Sequence, residues 1–147
     1  MLTNELETYV KERLELLREQ IKANMEREGE NASGRTSRSI VVESDEGITR
    51  LVGGGEGCAP LATLESGYKG AVSFGRLFQW SKEKGIEFDS DKERRKFTFL
   101  LKRKIAKDGT QRYNKHVDVY TTPVAQAVDE IVARCGDIIL EQIKSTL

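Results

Sequence analysis

The sequence predicts an α+β fold: a small antiparallel sheet, made of a hairpin plus one or two further strands, packed by long N- and C-terminal helices with two shorter helices between them. Three observations carry this expectation. Apolar residues recur every three or four positions near both ends of the chain. β-Branched residues flank a turn-forming Ser44-Asp45-Glu46-Gly47. Glycines and short polar residues punctuate the middle. At 147 residues, with no internal repeat and no dividing linker, the chain reads as a single domain, 1–147.

The elements follow in order. Leu6, Val10, Leu14, Leu17, Ile21 and Met25 form one stripe, so residues 3–28 are expected to be a helix about 39 Å long, with Thr3 or Asn4 as its cap. Asn31-Ala32-Ser33-Gly34 should break it. Strands are expected between 36 and 65: a hairpin of 36–43 and 48–53, then a third strand at 59–65 closed by Gly67. A helix over 74–84 is closed by Gly85, and a second over 91–107 is opened by Asp89-Ser90-Asp91 and closed by Gly109. In the second, Phe97, Leu100, Leu101 and Ile105 form the apolar stripe. Val117–Tyr120 is expected to be a short strand, and Thr122 to cap a final helix, 122–145, with Pro123 at its first position. That helix carries Val124, Val128, Ile131, Val132, Cys135, Ile138, Ile139 and Ile143, a broad apolar face expected to enter the core. The glycine-rich stretches 53–58 and 66–73 are expected to be loose.

The chain is neutral, with 24 Lys+Arg against 24 Asp+Glu, yet its charge is segregated. Residues 1–30 hold eight glutamates against five bases, and residues 116–147 five acids against two bases. Residues 92–115 hold ten bases against Glu93 and Asp108, a net +8. Such a block suits self-association through complementary patches or contact with a polyanion. Its rival is an ordinary solvated helix face. Arg94, Arg95, Lys102, Arg103 and Lys107 are the candidate assembly surface.

Other chemistry finds little footing in the sequence, and no enzymatic activity, cofactor or metal is expected. A lone histidine, His116, and two distant cysteines, Cys58 and Cys135, do not make a zinc spacing, and the cysteines are expected to be reduced thiols. Gly53-Gly54-Gly55-Glu56-Gly57 lacks both the Gly-Lys-Ser/Thr end of a phosphate loop and the G-x-G-x-x-G spacing. No apolar run approaches the roughly 20 residues of a membrane span, and the charged start is unlike a signal peptide.

Several stretches, taken in order, resemble a family of bacteriophage virion proteins, the minor tail or tail-completion (head–tail connection) proteins of long-tailed phages. After the long first helix, Asn31-Ala32-Ser33-Gly34-Arg35-Thr36-Ser37-Arg38-Ser39-Ile40 is similar to the family's N-A-S-G-x-T-x-x-S-I/L. Leu64-Glu65-Ser66-Gly67 resembles its L-E-x-G, and Trp80 through Lys84-Gly85-Ile86 its W-x-x-x-K-G-I. Leu101 through Ile105 to Gly109-Thr110 resembles I-x-x-K-I-x-x-x-G-T, and Asp118-Val119-Tyr120 resembles D-I/V-Y/F. The resemblance implies an α+β structural protein of a phage or prophage, without catalysis. It also implies a homo-oligomeric ring made in the bacterial cytoplasm and placed at the virion's neck or tail end. There it would contact connector or tail-tube proteins, with DNA passing nearby but not tightly bound and no membrane involved. The alternative is a small nucleic-acid-binding domain using the basic segment 92–115.

Overall fold

The computed structural model describes residues 2–30, 34–55, 58 and 62–147. The fold is α+β, helix-rich around one two-stranded antiparallel sheet, with a long helix near each end. Helix α1 (Leu2–Arg27) forms where its stripe predicts, although it starts early enough to put Thr3 and Asn4 in its first turn. Its buried apolar residues are Leu17, Ile21 and Met25, with Leu14 packed against them. The expected break at 31–33 lies outside the described residues.

Strands β1 (Val41–Asp45) and β2 (Ile48–Val52) pair with Asp45 opposite Ile48, leaving Glu46-Gly47 as a two-residue turn. Both turn residues have positive φ, 47° and 78°, the geometry that lets strands keep their right-handed twist through a tight turn. The first strand is shorter than expected, because Arg35–Ser39 coils into a helical turn, α2, behind Gly34 at φ 75°. The Ser39 hydroxyl then accepts a hydrogen bond from the Gly54 N–H, drawing the two ends of the hairpin together.

Among the described residues the sheet has two strands. Of the expected third strand, 59–61 lie outside the described residues, and Thr63–Ser66 is a helical turn, α3, which buries Leu64. Helix α4 (Phe74–Glu83) is capped by the Ser73 hydroxyl, and α5 (Asp91–Asp108) by that of Ser90. A further turn, α6 (Gln111–Asn114), capped by Thr110, precedes the last helix, α7 (Thr121–Thr146). The expected strand at 117–120 is an extended connection instead: the Val117 N–H donates to the Glu65 carbonyl, and among the described residues no strand lies alongside.

Helices α1 and α7 pack antiparallel. Asn24 near the end of α1 donates to the Val119 carbonyl just before α7, and Arg13 meets Glu130 at 2.6 Å. The hairpin packs on α1 too, so α1 has the sheet and α7 as its two main neighbours, where both long helices were expected on the sheet. The core gathers Leu17, Ile21 and Met25 with Ile40, Leu64, Val119 and Ala127, drawn from five separate stretches of chain.

One carboxylate joins two of those stretches, the α3 turn and the connection into α7. Glu65 Oε1 accepts the backbone N–H groups of Val119, Tyr120 and Thr121 at 2.8, 2.7 and 2.8 Å, and its Oε2 accepts the Thr121 hydroxyl at 2.5 Å. Asp118 accepts the Thr122 N–H at 3.1 Å. The start of α7 is therefore capped by Glu65 and Asp118, not by Thr122, and Pro123 falls within the first turn rather than at its first residue. Orphan N–H groups at a helix start need such acceptors. Burial alone would raise the Glu65 carboxyl, but the Thr121 hydroxyl and the three N–H groups outweigh it and hold the group below the usual 4.5. Hydrogen bonds from Thr122 likewise hold Asp118 below 3.8.

The segment 66–73, expected to be loose, is tied down. Tyr68 exchanges hydrogen bonds with Thr110 at both its N–H and its carbonyl, and the Gly70 N–H donates to the Ile105 carbonyl. Gly67, at φ 67°, packs so closely on α6 that a Cβ there would sit 2.1 Å from the Tyr113 nitrogen. No side chain fits that contact.

These carboxylates set an acid limb. A depressed carboxyl contributes stability above its unfolded value and loses it as pH falls through its lower folded value. Stability should therefore drop below the ordinary values of 4.5 for Glu65 and 3.8 for Asp118. Glu30 acts oppositely: burial raises its carboxyl against the lowering pull of Arg112, and that cost is relieved as pH falls towards 4.5. Glu65→Gln should cost about 1–2 kcal/mol at neutral pH, as a lost charged cap does, and should flatten the acid limb in urea melts taken between neutral pH and about pH 3. An unchanged limb would show that Glu65 does not govern it.

Candidate assembly surface

The five predicted surface bases share α5 but not one role. The helix turns Thr98 and Ile105 into the core, with Phe97 and Leu101 half-buried beside them. Arg94 lies on this inner side. Its guanidinium donates to the Ser81 hydroxyl at 2.8 Å and to the Ile86 carbonyl at 2.9 Å, and stacks 4.9 Å from the Phe88 ring centre. Ser81 is fully buried. Arg94 thus clamps α4 and its closing turn to α5 and leaves the assembly surface. Lys102 is half-buried at the margin.

Arg95, Arg103 and Lys107 are exposed, together with Lys92 and Lys96. At 3.6 residues per turn they line one outer face. In its middle stand Phe99 and Leu100, 53 and 63 % exposed. Leu100 was expected in the buried stripe. At about 100° per residue Leu100 lies about 140° and Phe99 about 120° round the helix from the buried Ile105, which puts both on the outer side. The Arg103 guanidinium lies 5.9 Å from the Phe99 ring centre. Among the described residues, Lys92, Arg95, Arg103 and Lys107 join no ion pair; Lys96 meets Glu93 at 3.4 Å.

Part of the segregated charge is neutralised within the chain. Arg112 donates to Glu30 at 3.0 Å and to the Glu28 carboxylate at 3.2 Å, tying α6 to the end of α1. Lys84 donates to the Gly29 carbonyl, and Arg35 meets Glu83 at 3.1 Å. These contacts hold the α4–α5 pair against the rest of the fold. His116 is exposed, and Cys58 and Cys135 are half-buried free thiols. Among the described residues no group of three or more His, Cys, Asp or Glu is placed to hold a metal ion, and no helix is long and apolar enough to cross a membrane.

The motif residues singled out in the sequence converge on the joints of the fold. Glu65 caps α7, Gly67 lies against α6, and Thr110 holds Tyr68. Gly109, at φ 82°, packs on the Tyr113 ring, and Val119 is fully buried. Lys84-Gly85-Ile86 closes α4 and supplies the carbonyl that Arg94 binds. Comparison with protein-family models, with curated proteins and with solved structures returns no match.

The two kinds of arginine should separate in a melt. Arg94→Ala removes two hydrogen bonds and leaves the buried Ser81 without its charged partner, so it should cost about 1–3 kcal/mol. Arg103→Ala, on the exposed face, should stay within about 0.5 kcal/mol. Equal losses would place Arg94 on the surface after all.

Proposed function

We propose that the protein is a structural component of a tailed phage or prophage virion, which completes the tail or joins it to the head connector without catalysis. In this reading it acts as a ring of identical copies at the neck or tail end, against connector or tail-tube proteins. The carrying observation is the outer face of α5: bases, four of them in no ion pair among the described residues, around two exposed apolar side chains, on a chain whose other long helices are acidic. An apolar centre with a charged rim is the anatomy of a protein-docking face. The ordered motifs, which resemble those of tail-completion proteins, supply the virion context.

The same bases, with Phe99 available for stacking, favour a second reading as a nucleic-acid-binding surface. The two separate by salt. Nucleic-acid binding should weaken with a log–log slope near −0.9 per neutralised phosphate. A ring crossed by DNA should grip it little.

The test uses the outer bases alone, because Arg94 holds the fold. Arg95→Glu, Arg103→Glu and Lys107→Glu together should shift stability by no more than about 0.5 kcal/mol per site. A phage lacking the gene and supplied with this variant should accumulate separate heads and tails by electron microscopy. Plaque titre equal to that with the wild-type gene would reduce the face to a solubilising one. Tight duplex binding at physiological salt, lost in the variant, would put the nucleic-acid reading in its place.

A further inference from the structure

The apolar face of α7 is broader than the core it meets. Ala127 and Ile138 are buried, and Ile131 and Cys135 half-buried. Val128, Val132, Ile139 and Ile143 are left 52, 67, 41 and 51 % exposed. At 3.6 residues and 5.4 Å per turn, these four form one stripe about 23 Å long beside the seam with α1. Asp129 borders it on the outer side, with Asp137 and Glu141 further round beyond the exposed Leu140. Glu141 meets Arg134 at 3.5 Å, whereas Asp129 and Asp137 join no ion pair among the described residues. Continuous apolar stripes with a polar border mark docking sites on soluble proteins.

We infer that the occupant of this stripe is the outer face of α5 from a second copy of the chain. Phe99 and Leu100 would lie on Val128, Val132, Ile139 and Ile143, and bases of the α5 face would meet Asp129 at the border of the stripe. Charge complementarity selects this occupant. Residues 116–147 carry five acids against two bases and residues 92–115 a net +8, so each copy brings the complement that the next one lacks. Pairing α7 with α7 would set two acid borders against each other, which works against it. The two faces are different surfaces on different helices. The contact is therefore heterologous, and repetition closes a ring or grows a filament. The inference rests on the proposed self-assembling role and deepens it by naming both halves of the contact.

The test is the mass of the full chain in solution by light scattering after size exclusion, over rising concentration. Wild type should associate. Leu100→Glu on α5 and Val132→Glu on α7 replace exposed side chains, so both should keep the parent melting curve while weakening association by at least about tenfold. Mixed in equal amounts, the two variants should form dimers and stop there, because each supplies the face that the other lost. If Val132→Glu alone dissociates the protein while Leu100→Glu does not, and mixing rescues nothing, α7 pairs with α7 and the inference falls. A wild-type chain that stays monomeric at millimolar concentration also overturns it. The virion reading is judged separately, since it stands or falls on whether heads and tails join in the complemented phage. If either substitution unfolds the chain, Arg103→Glu and Asp129→Lys address the same two faces through charge alone: each should weaken association by itself, and mixing should restore it beyond the dimer, because the two reversed charges attract each other as the native pair does.

Discussion

The Glu65 carboxylate holds the fold at its central crossing. Five stretches of chain must meet to bury Met25 and Val119, and few of their contacts are local in sequence. By accepting three consecutive backbone N–H groups and a hydroxyl, Glu65 fixes where α7 begins and how the 117–121 connection enters the core. Buried backbone donors must find acceptors, and here no strand supplies them. A side chain 54 residues earlier does so. Thr110 and Arg112 repeat the device on the far side of the crossing, tying the 66–70 segment and the end of α1 to the short turn α6. The glycines at 67 and 109 belong to the same constraint: the α6 backbone lies where a Cβ of residue 67 would sit, and the Tyr113 side chain where one of residue 109 would.

That joint has a consequence for the charged surface. The basic block divides into bases that serve the fold and bases that do not. Arg94 and Arg112 are held by hydrogen bonds to neighbouring elements, and losing them would loosen the α4–α5 pair or α6. Arg95, Arg103 and Lys107 face outward, and surface charges of this kind contribute little to stability one by one. Charges that fold energetics does not use are free to steer docking and fix register, which they do through rate and specificity more than through affinity.

The long helices show the same division between holding and presenting. Helix α1 sits between the hairpin and α7 and is consumed by internal packing. Helix α7 gives one edge of its apolar face to α1 and leaves the next edge open. In the proposed assembly the neutral net charge leaves copies of the chain without mutual repulsion.

Local patterning determined the long elements. Helix bonds run four residues back, so α1, α4, α5 and α7 were legible to within one residue at each end, as was the Ser90 cap. The hairpin was legible too, because Glu-Gly sets its own turn. Thr63–Ser66 and Gln111–Asn114 were not, since helices of one turn gain too few bonds to form alone and take their shape from what they touch. Val117–Tyr120 has the composition of a strand, but pairing is a property of two segments, and the partner here is a carboxylate instead of an edge. The candidate surface was legible in its charge and not in its members. Arg94 and Arg103 are alike in sequence, yet Ser81 and Ile86 claim the first and leave the second to solvent. Periodicity says that a helix has an apolar face, whereas what covers that face depends on residues far away in the chain. The tertiary structure alone therefore decided that most of the α7 stripe stands exposed.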